Sequence, residues 1–185
     1  MIALFLAVGL ARAETLEAML AKGEVSLLET RPDGRLRQAT AIGLVRAPVD
    51  AVWAKLVNVG DYENWLPQCA DSTVVSTGTN TLVADFSIAV VGPNVNFRES
   101  FVMDPDAKTI KGTWVSGALA GSHWEWRLVA SGSHTIVYRT LFTNVVDTNW
   151  LVKQVEDENH TLEYGINVAT GMVEIRGLKK ALGVP

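Results

Sequence analysis

The spacing of apolar residues changes along the chain and predicts helices at both ends of a long β region. Apolar residues recur at helical spacing in residues 14–21 and 47–57. Between 69 and 145 no helical period occurs, and short alternating segments are separated by turn-forming residues. Residues 147–182 contain no proline and carry apolar residues along one broad side, which predicts a long final helix.

The alternating segments predict an antiparallel sheet. A first hairpin joins two strands through Pro32-Asp33-Gly34, a strong turn sequence. Because no helix interrupts the later strands, parallel strands with crossover helices are excluded. We therefore predict a single α+β domain over residues 14–185, with a curved antiparallel sheet of at least six strands wrapped around the final helix. The predicted strands are 24–30, 36–46, 72–77, 81–91, 95–103, 109–116, 123–130 and 135–145.

The first thirteen residues differ from the rest of the chain. Residues 2–10 are an apolar run that ends in Ala11-Arg12-Ala13, as in a cleavable signal peptide, although no basic residue precedes the run. The run is shorter than the ~20 residues that span a bilayer. We expect residues 1–13 to be a signal peptide and the mature protein to be periplasmic or secreted. The alternative is an apolar helix packed on the domain of a cytoplasmic protein.

Composition narrows the classes of partner and site. A net charge of -4 offers no broad cationic surface, so nucleic acid is not an expected partner. The single cysteine, Cys69, excludes an intrachain disulfide and is expected to be a small buried side chain. No glycine-rich phosphate-binding motif occurs, and no cofactor is predicted. Glu156, His160 and Glu163 share one helical face, but such charged faces are usually solvated, and no metal site is predicted.

Three motifs carry a likeness to a known family. They are Ala47-Pro48-Val49-Asp50-Ala51-Val52-Trp53, Asp61-Tyr62-x-x-Trp65-Leu66-Pro67, and Ser116-Gly117 followed by His123-Trp124-Glu125-Trp126. Together they resemble START-like domains of the polyketide cyclase/dehydrase (SRPBCC) superfamily, and residues 62–72 are similar to its coenzyme Q-binding branch. The resemblance spans about residues 36–182. It implies a helix-grip fold with an apolar cavity between sheet and final helix, but no single chemistry, since the superfamily includes carriers, cyclases and hydroxylase subunits.

Strand parity predicts which side chains face this cavity. Trp124 and Trp126 alternate with charged residues, so their rings are expected inside. The same rule places Arg139 outside and its neighbour Tyr138 inside. The alternative is that the aromatic side chains simply fill a solid core. The predicted ligand-binding residues are Phe86, Glu99, Trp114, Trp124, Trp126, Tyr138, Phe142, Tyr164 and Met172.

Two positions, Glu99 and Gly171, each have two opposed structural interpretations. Glu99 shares parity with Phe97 and Phe101, so it is expected inside, where a carboxylate is costly unless paired. It is the candidate catalytic residue, as an acid or base, or an acceptor for a ligand hydroxyl. Alternatively, a β-bulge turns it toward water. Gly171, inside the final helix, leaves space for a ligand or allows the sheet to approach closely.

Three classes of function remain open. The first is binding or transport of an apolar small molecule or lipid in the cavity, with transient membrane contact as a further expectation. The second is a polyketide cyclase or aromatase-like enzyme, which the resemblance implies would fold a reactive chain in the same cavity. The third is an interaction module with a filled core. The sequence decides neither catalysis nor the oligomeric state.

Overall fold

The computed structural model describes residues 15–89, 93–117, 119–144 and 161–185. The predictions for residues 1–13, for Glu156 and His160, and for the final helix before residue 161 lie outside the described residues. Within the described ranges the helices are α1 Leu16–Leu20, α2 Val49–Val57, a 3₁₀ helix Val59–Asn64 and α3 Thr161–Ala181. The strands are β1 Val25–Thr30, β2 Leu36–Val45, β3 Cys69–Thr77, β4 Thr81–Ile88, β5 Val95–Asp104, β6 Thr109–Gly117, β7 His123–Ser131 and β8 His134–Phe142.

The eight strands form one antiparallel sheet in the order β1-β2-β8-β7-β6-β5-β4-β3. Strands β3 to β8 each pair with their neighbours in sequence, and β2 pairs with β8. The β1–β2 turn contains Gly34 at φ 83°, a left-handed conformation that glycine adopts without strain. The sheet is curved, and α3 packs against β1, β2 and β8. The predicted α+β helix-grip fold is confirmed.

Polar contacts fix both ends of α3 to the first hairpin. Near its N-terminal end, Glu163 Oε2 accepts a hydrogen bond from the backbone N–H of Leu36 at 3.1 Å. Near its C-terminal end, Lys179 and Arg176 donate to the Glu24 carboxylate at 2.8 and 3.1 Å. Burial raises the pKa of Glu24, but these hydrogen bonds and charges outweigh it and hold the pKa below its ordinary value. The helix is therefore anchored to one side of the sheet.

Gly171 lies where α3 comes nearest to the sheet. A Cβ atom added there would lie 3.0 Å from Cβ of Ala41 and 3.1 Å from Cδ2 of Leu141. These distances are shorter than ordinary van der Waals contact, so a side chain at 171 would push the helix away from β2 and β8. Of the two interpretations of this glycine, close approach of the sheet is the correct one.

Apolar side chains cover both faces of the sheet around β2 and β8. The main core lies between the sheet, α2 and α3, and includes Val137 and Ile175. On the other face, Leu20 of α1 packs against Ile42 and Ile136 in a second, smaller cluster. Strand β8 is therefore apolar on both faces over part of its length. None of the described helices is both long and apolar enough to span a bilayer.

Candidate ligand-binding cavity

A cavity of about 980 Å³ lies between the sheet and α3. Strands β4 to β8 supply most of one wall, and the segment after the 3₁₀ helix supplies part of it. Helix α3 closes the opposite side with Ile166, Ala169, Thr170 and Val173. The apolar side of the predicted final helix thus faces this space.

Five of the nine predicted ligand-binding residues lie in the cavity wall: Phe86, Glu99, Trp114, Trp124 and Trp126. Alternation along the strands places them there. In β7, the two tryptophans are buried, whereas Arg127 between Trp126 and Leu128 is exposed. Neighbouring rings also support one another, with centroid distances of 5.0 Å between Phe97 and Trp114 and 5.3 Å between Phe101 and Trp124.

Strand β8 has the opposite parity from the one predicted. Tyr138 lies beside the outer cluster, with the Arg127 guanidinium 3.9 Å from its ring centroid. Phe142 also lies away from the cavity wall, with its ring centroid 5.7 Å from that of His123. Arg139, expected outside, is buried in the cavity wall. The prediction was wrong because both faces of β8 carry apolar residues, and the one charged side chain was assumed to face water.

The two predicted residues of the final helix also lie outside the cavity wall. The Tyr164 hydroxyl donates to the backbone carbonyl of Gly34, in the β1–β2 turn. Met172 packs beside the main core. Both positions follow from the rotation of α3 about its axis, which the contact at Gly171 fixes and which helical spacing alone does not determine.

Arg139 is the principal cavity residue that the sequence analysis missed. Its Nε pairs with Glu174 Oε2 of α3, and its guanidinium lies 4.4 Å from the ring centroid of Trp124 and 4.7 Å from that of Trp126. Such stacking stabilises a desolvated cation. Its Nη1 is buried and has no hydrogen-bond partner among the described residues. No local signal could have revealed this arrangement, since Glu174 lies 35 residues further along the chain.

Glu99 faces the cavity and is 4% exposed. The indole N–H of Trp124 donates to Glu99 Oε1 at 3.1 Å. The β5–β6 register does shift between Arg98 and Glu99, as one interpretation expected. The extra residue is Val115 of β6, however, because Glu99 pairs with Trp114 while Arg98 pairs with Ser116. The bulge therefore leaves the Glu99 carboxyl inside.

The electrostatics of the cavity make Glu99 a neutral acid at pH 7. Burial raises its pKa to about 8, against the lowering effects of the Trp124 hydrogen bond and the positive charge of Arg139. The negative charge of Glu174 raises the pKa further. The cavity thus contains a protonated carboxyl group that can donate or accept a hydrogen bond.

Other polar positions in the wall come from segments that sequence reasoning did not single out. Gln68 lies in the turn after the 3₁₀ helix at φ 66°, and Thr143 follows β8. The Asn167 side chain fixes the Thr143 backbone, since Oδ1 accepts from its N–H at 2.7 Å. Tyr62, named above only as part of a motif, lines the cavity while its hydroxyl donates to the carbonyl of Leu56 at 2.6 Å.

Cys69 is buried, as predicted, and its thiol donates to the carbonyl of Asp71 at 3.3 Å. Burial raises its pKa to about 11, so the thiol is protonated at neutral pH. Within the described residues, no group of three or more His, Cys, Asp or Glu side chains is arranged to hold a metal ion. Glu163, named above in a possible ligand spacing, instead accepts from the Leu36 backbone.

Comparison with known proteins identifies the family. A family model described as polyketide cyclase / dehydrase and lipid transport matches residues 45–162, more than half of the chain. The chain therefore belongs to this family, which confirms the superfamily resemblance; the likeness to its coenzyme Q-binding branch stays a resemblance. A comparison with curated protein sequences finds no match.

Solved structures show the same fold at low sequence identity. The Zhui aromatase/cyclase from a Streptomyces species is 17% identical, with a TM-score of 0.66 over 80% of this chain and 93% of that chain. The STAR-related lipid transfer protein of Xanthomonas axonopodis is 13% identical, with a TM-score of 0.67 over 88% of this chain and 94% of that fragment. A START superfamily protein of Mycobacterium smegmatis is 16% identical, with a TM-score of 0.52 over 74% and 97% of the two chains.

Proposed function

We propose that this protein binds an apolar small molecule or lipid in the cavity between the sheet and α3, and acts as its carrier. The observation that carries the proposal is a cavity of about 980 Å³ walled largely by aromatic and aliphatic side chains. Cavities that bind small molecules commonly have volumes of about 300–1,000 Å³ and a few polar groups in an apolar wall. Glu99, Arg139 and Glu174 are such groups here.

The arrangement of the two walls supports an occupant rather than a filled core. The rings on the sheet pack against one another, as in the Phe97–Trp114 and Phe101–Trp124 pairs. Across the cavity, α3 presents small side chains such as Ala169 and Thr170. Close-packed interiors leave few voids larger than a water molecule. An apolar molecule that displaces water from this wall is therefore bound favourably.

The comparisons are consistent with a carrier. The family description includes lipid transport, and the similar Xanthomonas structure is named a lipid transfer protein. A carrier also needs no catalytic group, because side chains that orient its ligand are sufficient. Because this chain has an apolar cavity of its own, we propose that its ligand is also a lipid or an apolar small molecule.

Substituting Ala169 by phenylalanine should reduce the affinity for Nile red at least tenfold, because the new ring occupies the cavity. Ala169 is exposed toward this space, so the melting temperature should change by only a few degrees. The matched control is Ala181→Phe, at an exposed alanine that ends the same helix and does not line the cavity. Fluorescence titration of the three proteins measures the affinities, and mass spectrometry identifies apolar molecules that copurify.

Two results would contradict the carrier proposal. One is that the unmodified protein binds no apolar probe at micromolar concentration and copurifies with no apolar molecule. The other is an equal effect of Ala169→Phe and Ala181→Phe, which would place the binding site outside the cavity.

A second candidate function is cyclisation of a polyketide-like chain in the same cavity, and Glu99 is the observation that favours it. A neutral buried acid can donate a proton to a ketone oxygen while the enol form of a second keto unit attacks the ketone carbon and forms the carbon–carbon bond. The resulting carboxylate then accepts the proton that the enol oxygen releases as it becomes a carbonyl. The similar Streptomyces structure is named an aromatase/cyclase.

The cyclase candidate predicts that the protein converts a poly-β-keto thioester to a cyclic product and that Glu99→Gln slows this reaction by about 100-fold or more. Product formation is followed by chromatography, and Nile red titration of the same variant checks that the cavity is intact. If the unmodified protein forms no more cyclic product than buffer alone, the cyclase candidate is wrong and the carrier proposal is unaffected.

A further inference from the structure

We propose that ligand binding in this cavity is linked to the proton of Glu99: the cavity binds its apolar ligand when the Glu99 carboxyl is protonated and releases it when this carboxyl ionises. The inference rests on the proposed function, because it concerns the regulation of that same site. It assigns to Glu99 a role in controlling affinity, which is separate from the acid–base chemistry of the cyclase candidate.

The Glu99 carboxyl belongs to the cavity wall and has few polar partners. The residue is 4% exposed and lines the cavity. Among the described residues the carboxyl accepts one hydrogen bond, from the indole N–H of Trp124 at 3.1 Å. Its register partners, Ala84 of β4 and Trp114 of β6, carry no charge. An ionised Glu99 therefore depends on water in the cavity for the rest of its solvation.

The charged and titratable groups around Glu99 do not compensate an ionised carboxyl. On β8, Arg139 favours the ionised form, but it is already paired with Glu174 of α3, whose negative charge opposes ionisation. Tyr62 of the 3₁₀ helix and Cys69 of β3 also interact with Glu99, and burial raises the pKa of both. Neither of these two side chains carries a positive charge in any protonation state. The described surroundings of Glu99 thus have almost no net positive charge.

An apolar ligand increases the cost of a charge on Glu99. A cavity of about 980 Å³ with polar groups in its wall has room for water beside the carboxyl. An apolar molecule displaces that water, and this loss of solvation favours the neutral carboxyl. Burial within the protein already raises the pKa of Glu99 to about 8, and the ligand should raise it further. Because the coupling of proton and ligand is reciprocal, loss of the proton weakens ligand binding by the same factor.

Nile red titrations of the full chain at a series of pH values measure this coupling. The dye carries no group that titrates between about pH 6 and pH 9.5, so a change in affinity over this range belongs to the protein. The affinity should be constant below about pH 7 and should fall roughly five- to tenfold between pH 6 and pH 9.5.

A matched pair of substitutions assigns the fall to one carboxyl. Glu99→Gln is uncharged at every pH and should bind Nile red equally tightly at pH 6 and pH 9.5. The control is Glu125→Gln on β7, the same chemical change at a side chain that pairs with Lys111 near the surface. This control should show the same fall as the unmodified protein. A constant affinity of Glu99→Gln also shows that alkaline pH does not disrupt the cavity itself.

Infrared spectroscopy tests the coupling from the side of the proton and needs no variant. The carbonyl stretch of a protonated carboxyl disappears when the group ionises, and in the ligand-free protein Glu99 should lose this band near pH 8. Saturation with Nile red should move the loss of the band to higher pH. This comparison on the unmodified protein stands even if Glu99→Gln folds poorly.

The outcomes separate this inference from the carrier proposal. Equal affinities of the unmodified protein at pH 6 and pH 9.5, or tighter binding at pH 9.5, overturn the inference and leave the carrier proposal in place. An equal fall in Glu99→Gln does the same, as does an infrared band that Nile red does not move. If no apolar probe binds at any pH and no apolar molecule copurifies, the inference and the carrier proposal both fail.

Discussion

The free energy of unfolding of the unmodified protein should fall between about pH 5 and pH 8, and replacing Glu99 by glutamine should abolish this fall. The folded state holds the Glu99 carboxyl in its protonated form, with a pKa near 8 against an ordinary value of 4.5. Glutamine keeps the oxygen that accepts from the Trp124 indole N–H, but carries no titrating proton. The variant should therefore be the more stable protein at pH 8.

The direction follows from proton binding in the two states. Between pH 4.5 and about 8 the unfolded chain has released the proton of Glu99, whereas the folded protein retains it. The free energy of unfolding therefore falls as the pH rises through this window, by at most about 1.4 kcal/mol for each pH unit. Below pH 4.5 the group is neutral in both states and the contribution is fully present.

Denaturant unfolding at a series of pH values measures this difference. The control is Glu125→Gln, which makes the same chemical change on β7 but at a side chain that pairs with Lys111 at 3.7 Å near the surface. That control should keep the pH-dependent fall of the unmodified protein. Parallel stability curves for the unmodified protein and Glu99→Gln would show that the carboxyl is charged, or reaches water, in the folded state.

For strands with one charged face, the sequence alone predicts which side chains are buried. In β7, the exposed Arg127 between the apolar Trp126 and Leu128 fixes which side is wet, and the structure buries both tryptophans as predicted. In β5, the same alternation places Glu99 inside with Phe97 and Phe101. Local patterning works here because only one face of these strands is buried against other elements.

In strand β8, local patterning does not predict which side chains face the cavity. Ile136 packs in the cluster under α1, while Val137 packs in the main core, so apolar residues do not mark a single buried face. The position of Arg139 then depends on Glu174, which α3 supplies from elsewhere in the chain. A buried charge is stabilised by such a long-range partner, and no spacing rule contains that information.

The cavity wall formed by α3 was predicted only in part for a related reason. Helical spacing groups the residues on one face but leaves the rotation of the helix against the sheet undetermined. In the structure, Gly171 faces β2 and β8, and Tyr164 reaches the β1–β2 turn. The cavity accordingly receives Ile166 and Ala169 in place of Tyr164 and Met172.

Gly171→Leu should therefore destabilise the protein by about 3 kcal/mol. The first added carbon alone would lie 3.0 Å from Ala41 Cβ and 3.1 Å from Leu141 Cδ2, and a leucine adds three more carbons beyond it. The helix must move outward to relieve the overlap. Because Ile166 and Ala169 lie on the same helix and line the cavity, Nile red affinity should fall together with stability.

The matched control is Gly165→Leu on the same helix, where a Cβ would meet nothing within 4 Å. This variant should be unchanged or more stable by up to about 1 kcal/mol, because leucine favours the helix more than glycine does. Thermal unfolding of the two variants checks the contrast, with the melting temperature of Gly171→Leu lower by roughly 5–10 °C. Equal melting temperatures would show that α3 does not press against β2 and β8 at Gly171, and that the sheet and this helix are free to separate around a ligand.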